Sequence, residues 1–423
     1  MASTFRTRWL LAAILAVALV IRLGAAIWWQ SRVPAGKQFG FPDSESYWQL
    51  GQKIAAGERY EFGPLPYRLF RTPGYPLLLS PLFVVGGQDV SVMAGRVMSA
   101  VLGTLTAALA AILGWRMFDQ RVGLLAGFAV AIYPEAIAQS VFVLSEAPFT
   151  PLMLVQLIAW IAAWQSNAKR EVVIWAIVGG IAAGLATLMR PSWLLFTPFA
   201  LAIGLAFIAE RIKQLQIGGL MLAALCVTML PWWTYAYSIA GRFVPTSLQV
   251  GASLYDGLSP IATGASDMRF VPEFEEEQRR FDTTHPPPAV QLFEDRLDER
   301  MKQASIAWAV AHPQRVLQLA GIKFLRIWNP WPNAAEFGSP KLRLVLMLSY
   351  VPAMILTAVG CYRSWALGWP VWLLLLPAVY FTLLHMVFVS SIRYRQPAMV
   401  PLLVLSAVAV AWIAAPLRKT PAS

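Results

Sequence analysis

Apolar runs of about 20 residues recur along the chain, separated by short polar connections, and each can cross the ~30 Å hydrocarbon core of a bilayer as an α-helix. Of the 423 residues, 58% are hydrophobic and 13% charged, against roughly 25% charged in a soluble domain. The expected fold is an all-α polytopic membrane protein with about ten transmembrane helices, near 9–29, 90–114, 122–139, 141–164, 172–189, 191–209, 216–237, 342–361, 367–386 and 396–415. The net charge of +12 would suit nucleic acid if the basic residues shared one solvated patch. They fall instead in short clusters between apolar runs, so membrane lipids are the expected partner and nucleic acid is not. Eighteen Trp fit interfacial belts. Cys226 and Cys361 read as packing residues. Arg6 and Arg8 precede an apolar run from Trp9 to Trp29 that is too long for a signal peptide, so a retained first helix is expected.

Ten crossings place both termini on one side. Connections on that side carry Arg6 and Arg8, Arg116 and Arg121, Lys169 and Arg170, Arg211 and Lys213, Arg363, then Arg418 and Lys419. Short basic connections mark the cytoplasmic side. The other side holds two long connections, a first external loop at 30–89 and a second of about 100 residues at 238–341, which contains over half of the acids. The chain thus divides into a membrane module at 1–237, an external helical loop at 238–341 and a membrane module at 342–423. Amphipathic helices are expected in the first loop, and helices at 289–311 and 313–328 in the second. RTPGYPLLLSPLFVVGG, Arg71 to Gly87, is too short to span and is interrupted by Pro73, Pro76 and Pro81, so an interfacial or re-entrant segment is expected.

Polar chemistry gathers at the outer ends of the helices. Arg22, Arg96, Glu135, Glu146, Arg190 and His385 all fall there, and the helix centres are nearly free of charge. An ion path through the membrane would need charges at mid-depth. In PDSESYW, Pro42 to Trp48, Asp43 and Glu45 sit beside aromatics just after the first helix. One reading makes Asp43 a general base for a hydroxyl, with Glu45 orienting it or sharing a cation. The other makes Asp43 an N-cap, and Glu45 a first-turn acid, of a helix ending near Gly57. Arg71, Arg190, Arg393 and Arg395 either bind a phosphate through their forked donors or snorkel to lipid headgroups. Glu146 either pairs with an arginine or contacts a sugar hydroxyl. Tyr47, Tyr75 and Tyr394 are candidate substrate contacts, and Tyr394 and Trp48 could stack on a sugar or belong to an aromatic belt. His285, His312 and His385 are scattered, without metal-ligand spacing. The acidic run at 273–277 reads as a solvated surface. No Walker loop, Rossmann fingerprint, GxSxG or HExxH is present. A donor would therefore reach the site from the bilayer, linked to lipid.

PDSESYW followed by RTPGYPLLL, then LSEAPF, MRP and a late RYRQPAMVPLL, resembles the C-superfamily of membrane glycosyltransferases. The likeness is to the bacterial branch related to protein O-mannosyltransferases and lipid A aminoarabinose transferases, and it covers roughly residues 9–235 and 340–415. The resemblance implies sugar transfer outside the cytoplasmic membrane, from a polyprenyl-phosphate-linked donor to a lipid, glycan or protein hydroxyl, usually with inversion. It also implies that Asp43 is the catalytic acid, Glu45 its companion, and Arg71 a donor-phosphate ligand. Many relatives carry adjacent acids or Asp-x-Asp where this chain has Asp-x-Glu, so the resemblance leaves open a divalent cation held by Asp43 and Glu45. Ten helices would also suit a transporter or flippase of lipid-linked saccharide, against which the charge-poor helix centres stand, and a surface-polysaccharide polymerase or ligase would share the external arginines.

Overall fold

A computed structural model describes residues 2–34, 37–63, 65–287, 291–332 and 339–414, so Arg418 and Lys419 lie outside the described residues. The described residues are helical apart from turns and a single bridge between Phe62 and Tyr67. Helices α1 (Ala2–Gln30), α2 (Pro42–Ala56), α3 (Gly74–Gly86), α4 (Val92–Met117), α5 (Gln120–Ile132) and α6 (Pro134–Gln139) come first. Then follow α7 (Glu146–Gln165), α8 (Lys169–Met189), α9 (Phe196–Phe207) and α10 (Arg211–Ala240). The second long connection folds into α11 (Val250–Gly257), α12 (Val271–Thr284), α13 (Phe293–Ala311) and α14 (Pro313–Ile327). The chain closes with α15 (Pro340–Ser364), α16 (Trp369–Val387) and α17 (Ile392–Ile413).

Eight helices among the described residues, α1, α4, α7, α8, α10, α15, α16 and α17, are long and apolar enough to cross a membrane. The expected crossings at 122–139 and 191–209 are realised as shorter apolar helices, α5 and α9. Both nevertheless join the two ends of the bundle. At one end Thr7 donates to Gln120 (2.9 Å), Arg121 donates to the Ala414 carbonyl (2.9 Å), and Phe207 stacks on Trp372 (5.8 Å). Arg116, Lys213 and Arg363 lie over Trp175, Trp164 and Trp412 at the same end. At the other end Arg96 donates to Gln30 (2.9 Å), Arg395 pairs with Glu135 (2.7 Å), and His385 stacks on Tyr394 (4.3 Å). The chain therefore runs between a basic, Trp-rich end and an end carrying buried acids, with eight helices, not the expected ten, long enough to span a membrane among the described residues.

Helix starts follow local chemistry. Asp119 caps α5 by accepting from the Val122 amide (2.8 Å), and Ser91 caps α4 by accepting from Met93 (3.2 Å). α2 begins at Pro42, which has no amide hydrogen to lose at that position, and ends on Gly57 in the left-handed region (φ 69°). α7 is buried along nearly its whole length, with α17 beside it and a core of Trp160, Trp193, Phe149, Trp369 and Phe381. This inner wall fixes the N-terminus of α7, and so Glu146, near the start of α17.

The acidic run at 273–277 lies on α12, and its carboxylates are largely exposed, as a solvated face should be. Glu276 and Glu277 pair with Arg280 (3.0 Å) and Arg300 (3.5 Å), and Glu275 accepts from the Tyr67 hydroxyl (2.6 Å). Trp48 is a core residue rather than a sugar platform, buried edge-on against Phe83 (4.7 Å) and Phe39 (5.7 Å).

Candidate active site

Five charged side chains from five segments form one alternating chain at the acid-bearing end. Arg71 Nη2 meets Asp43 Oδ1 at 2.7 Å, and Arg393 Nη1 meets the other oxygen, Asp43 Oδ2, at 3.4 Å. Arg393 Nε donates to Glu146 Oε1 at 2.5 Å, and Arg190 Nη1 lies 2.8 Å from that same oxygen. Three guanidinium groups against two carboxylates leave one positive charge in excess. Aromatic faces floor the chain: Arg71 lies over Tyr47 (4.9 Å), Arg190 over Tyr394 (5.2 Å), and Arg393 between Phe41 (5.6 Å) and Tyr394 (5.9 Å).

Local sequence explains each placement. Pro191 disfavours helical backbone at the residue before it, so α8 stops at Arg190, which is presented at the helix end. Ser391 accepts from the Arg393 amide (3.4 Å) and starts α17 there. Glu146 is in the first turn of α7, where the helix dipole favours an anion. Arg71 is held further by Ser46 (Nε to Oγ, 3.2 Å) and by Gln249 (Nη1 to Oε1, 3.2 Å). Gly74 lets the turn after Arg71 lie directly on the end of α8. A Cβ there would sit 2.6 Å from the carbonyl carbon and oxygen of Leu188, two residues before Arg190. Gly74→Ala is therefore expected to push the two arginine-bearing segments apart and to destabilise the protein by about 1–3 kcal/mol, the usual cost of overpacking. Thermal unfolding of the purified variant checks this, and an unchanged melting temperature contradicts it.

The Asp43 carboxylate is the accessible member of the chain: its side chain is 40% exposed, against 1% for Glu146. Burial alone would raise its pKa, but the guanidinium groups of Arg71 and Arg393 hold it down to about 2.

Several expectations need correction. Asp43 is not the N-cap of α2: Phe41 holds that position, no side chain caps it, and Asp43 turns to the arginines from the first turn. Glu45 does not converge with Asp43. On a helix, residues two apart point to nearly opposite sides, and Glu45 is exposed, accepting from Gln49 (3.2 Å). The same geometry separates Arg395 from Arg393. Arg395 is buried against Glu135 (2.7 Å) and the Ile327 carbonyl (2.9 Å), with its guanidinium over Tyr350 (4.0 Å). Tyr75 is fully buried and packs edge-on behind Tyr47 (5.2 Å) instead of lining the site. Asp43, Arg71, Arg190, Arg393, Glu146, Tyr47 and Tyr394 do come together.

Among the described residues no group of three or more His, Cys, Asp or Glu side chains is placed to hold a metal ion. With Glu45 turned away and both Asp43 oxygens on guanidinium groups, the pair does not fit a cation as it stands.

The helix expected at 289–311 carries three buried acids that sequence reasoning did not single out. Glu294, Asp295 and Asp298 on α13 are buried: Glu294 accepts from the amides of Arg68 and Leu69, Asp298 from Gly251 two residues past Gln249, and Asp295 pairs with Arg242. Their only sequence signal was that three acids share one amphipathic helix at i, i+1 and i+4.

Residues 78–244 match the family model for dolichyl-phosphate-mannose-protein mannosyltransferase. Glu146 and Arg190 fall inside that stretch, while Asp43 and Arg71 precede it. No curated protein sequence matches the chain. Among solved structures, the fold is similar to the archaeal oligosaccharyltransferase AglB from Archaeoglobus fulgidus in complex with an inhibitory peptide and a dolichol-phosphate. The TM-score is 0.62 at 17% identity, covering 97% of this chain and 51% of that one. The same archaeal protein, tethered to an acceptor peptide, gives a TM-score of 0.63 at 16% identity, covering 97% of this chain and 50% of that one. ArnT from Cupriavidus metallidurans bound to undecaprenyl phosphate gives 0.47 at 15% identity, covering 96% and 78%. The chain spans about half the length of the oligosaccharyltransferase it matches.

Proposed function

We propose that this chain, a multi-pass membrane protein with the GT-C glycosyltransferase fold, moves a sugar from a polyprenyl-phosphate-linked donor to a hydroxyl acceptor, inverting the anomeric centre. The observation that carries the reading is the Asp43 carboxylate held between Arg71 and Arg393, inside an ion-pair chain with one positive charge to spare. A phosphate needs forked cationic donors, and an acceptor hydroxyl needs a base, and this chain offers both within one cluster. The donor phosphate would draw Arg71 and Arg393 from Asp43. Asp43 would then take the proton of the acceptor hydroxyl as its oxygen attacks the anomeric carbon. The bond from that carbon to the phosphate oxygen breaks, and its electron pair leaves on the polyprenyl phosphate, where the arginines meet the developing charge. Glu146 and Arg190 orient Arg393, and Tyr394 floors the pair. No step is routed through a metal ion.

The dolichol-phosphate of the archaeal structure is a lipid carrier of the kind proposed here, and the acceptor peptide of its tethered form makes a protein acceptor one of the options, beside lipid and glycan. The transferred unit is a hexose or a pentose. The basic end of the bundle would face the cytoplasm under the positive-inside rule, which puts the site on the outer face of the cytoplasmic membrane.

The pH dependence follows from the same geometry. In the free protein Asp43 titrates near 2, so kcat/KM should show no acid limb from it above about pH 3. Donor phosphate competing for the two guanidinium groups raises that pKa toward the ordinary value near 3.9. The acid limb of kcat should therefore lie at higher pH than that of kcat/KM, and coincident limbs contradict the competition. The reading as a whole is tested in proteoliposomes loaded with undecaprenyl-phosphate sugars. Release of free polyprenyl phosphate with a new glycosidic bond supports it. Passage of the intact donor across the bilayer, with no new bond, makes the protein a flippase instead.

A further inference from the structure

Arg71 and Arg393 come from opposite ends of the chain, yet they share one carboxylate, so something must set their spacing. The connection between α10 and α15 grips both segments. Glu294, in the first turn of α13, is buried, and its Oε1 accepts from the amides of Arg68 (2.9 Å) and Leu69 (3.0 Å). The Leu69 carbonyl in turn accepts from Leu248 (2.8 Å), beside the Gln249 that holds Arg71. One turn further along α13, Asp298 accepts from the Gly251 amide (2.6 Å), and a Cβ on Gly251 would collide with the Asp298 backbone. On the other flank, buried Lys323 of α14 donates to the carbonyls of Gly257 (2.8 Å) and Val387 (2.6 Å). Ser390 closes this second grip, donating to the Lys323 carbonyl (2.7 Å), one residue before the serine that starts α17. Both placements are expensive: burial pushes the Glu294 carboxyl up to about 7 and the Lys323 ammonium down to about 8.

We propose that Glu294 and Lys323 are positioning residues, fastening the segments that carry Arg71 and Arg393 so that both guanidinium groups face one phosphate. The inference rests on reading those arginines as the donor-phosphate ligands. The two shorter bonds of Glu294 end on Oε1, which a glutamine oxygen can replace, while Oε2 takes only a longer one from Leu69 (3.2 Å). Glu294→Gln should therefore bind as the parent does, while Glu294→Ala should not.

The test uses the full chain in detergent and undecaprenyl phosphate as the probe. It measures the dissociation constant and the hydrogen exchange of the Arg68 and Leu69 amides. Expected are at least tenfold weaker binding and faster exchange in Glu294→Ala, with both within about twofold of the parent in Glu294→Gln. Lys323→Met should weaken binding by a similar factor without changing exchange at Arg68 and Leu69. Parent-like binding by Glu294→Ala, or equal loss in the Ala and Gln variants, overturns the proposal. If the parent itself does not bind the lipid phosphate, the donor reading fails, and positioning is then decided by exchange alone: unchanged Arg68 and Leu69 amides in Glu294→Ala overturn it.

Discussion

Asp43→Asn should leave the protein folded in the membrane while lowering sugar transfer by about 100- to 10,000-fold, the range that positioned general-base help supplies. The amide keeps the size of the carboxylate but accepts no proton at neutral pH. Its loss should cost less stability than that of Glu146, because the Asp43 side chain is 40% exposed against 1% for Glu146, and asparagine can still accept from Arg71. Polyprenyl phosphate should bind Asp43→Asn at least as tightly as the parent, since the carboxylate that competes for Arg71 and Arg393 is gone. Near-normal turnover by this variant removes Asp43 from the mechanism. Lost turnover with lost lipid binding makes it a structural partner of the arginines instead.

Glu146→Ala carries the second large effect, on stability. Glu146 is 1% exposed and takes both Arg190 and Arg393 on one oxygen. Deleting it leaves two neighbouring guanidinium groups without their shared anion. Breaking a buried pair in this way costs about 3–5 kcal/mol. A phosphate bound on Arg71 and Arg393 would return an anion to one of these two guanidinium groups. Undecaprenyl phosphate should therefore raise the melting temperature of Glu146→Ala by more than it raises that of the parent. An equal shift in both proteins would mean that the lipid phosphate settles elsewhere. A parent-like melting temperature without lipid would mean that the pair contributes no stability.

Much of this was legible in the residues. The run lengths announced an all-helical membrane fold, because membrane crossing constrains length and charge more tightly than packing does, although two of the ten expected crossings are shorter helices. Arg190, Arg393 and Arg395 stood out at outer helix ends and Arg71 before its Pro-Gly turn, and the fold brings all but Arg395 to the Asp43–Glu146 chain. What remained hidden depends on side-chain direction. Two residues apart reads as one face on a strand and two faces on a helix, so Glu45 and Arg395 were drawn into a site that their helices turn them away from. Glu135, which takes Arg395, is far from it in sequence, and nothing local announces the pair. Glu294 of α13 shows no partner until the loop at 68–71 is folded over it, because an acid that accepts backbone amides has no charged partner to betray it.

The central claim is that one lipid phosphate sits on Arg71 and Arg393, next to a carboxylate that it frees. A structure of the protein with undecaprenyl phosphate bound measures this directly. The expected result is phosphate oxygens about 3 Å from both guanidinium groups, with the Asp43 side chain released from at least one of them. A phosphate bound elsewhere, with the Arg71–Asp43–Arg393 contacts unchanged, would contradict it.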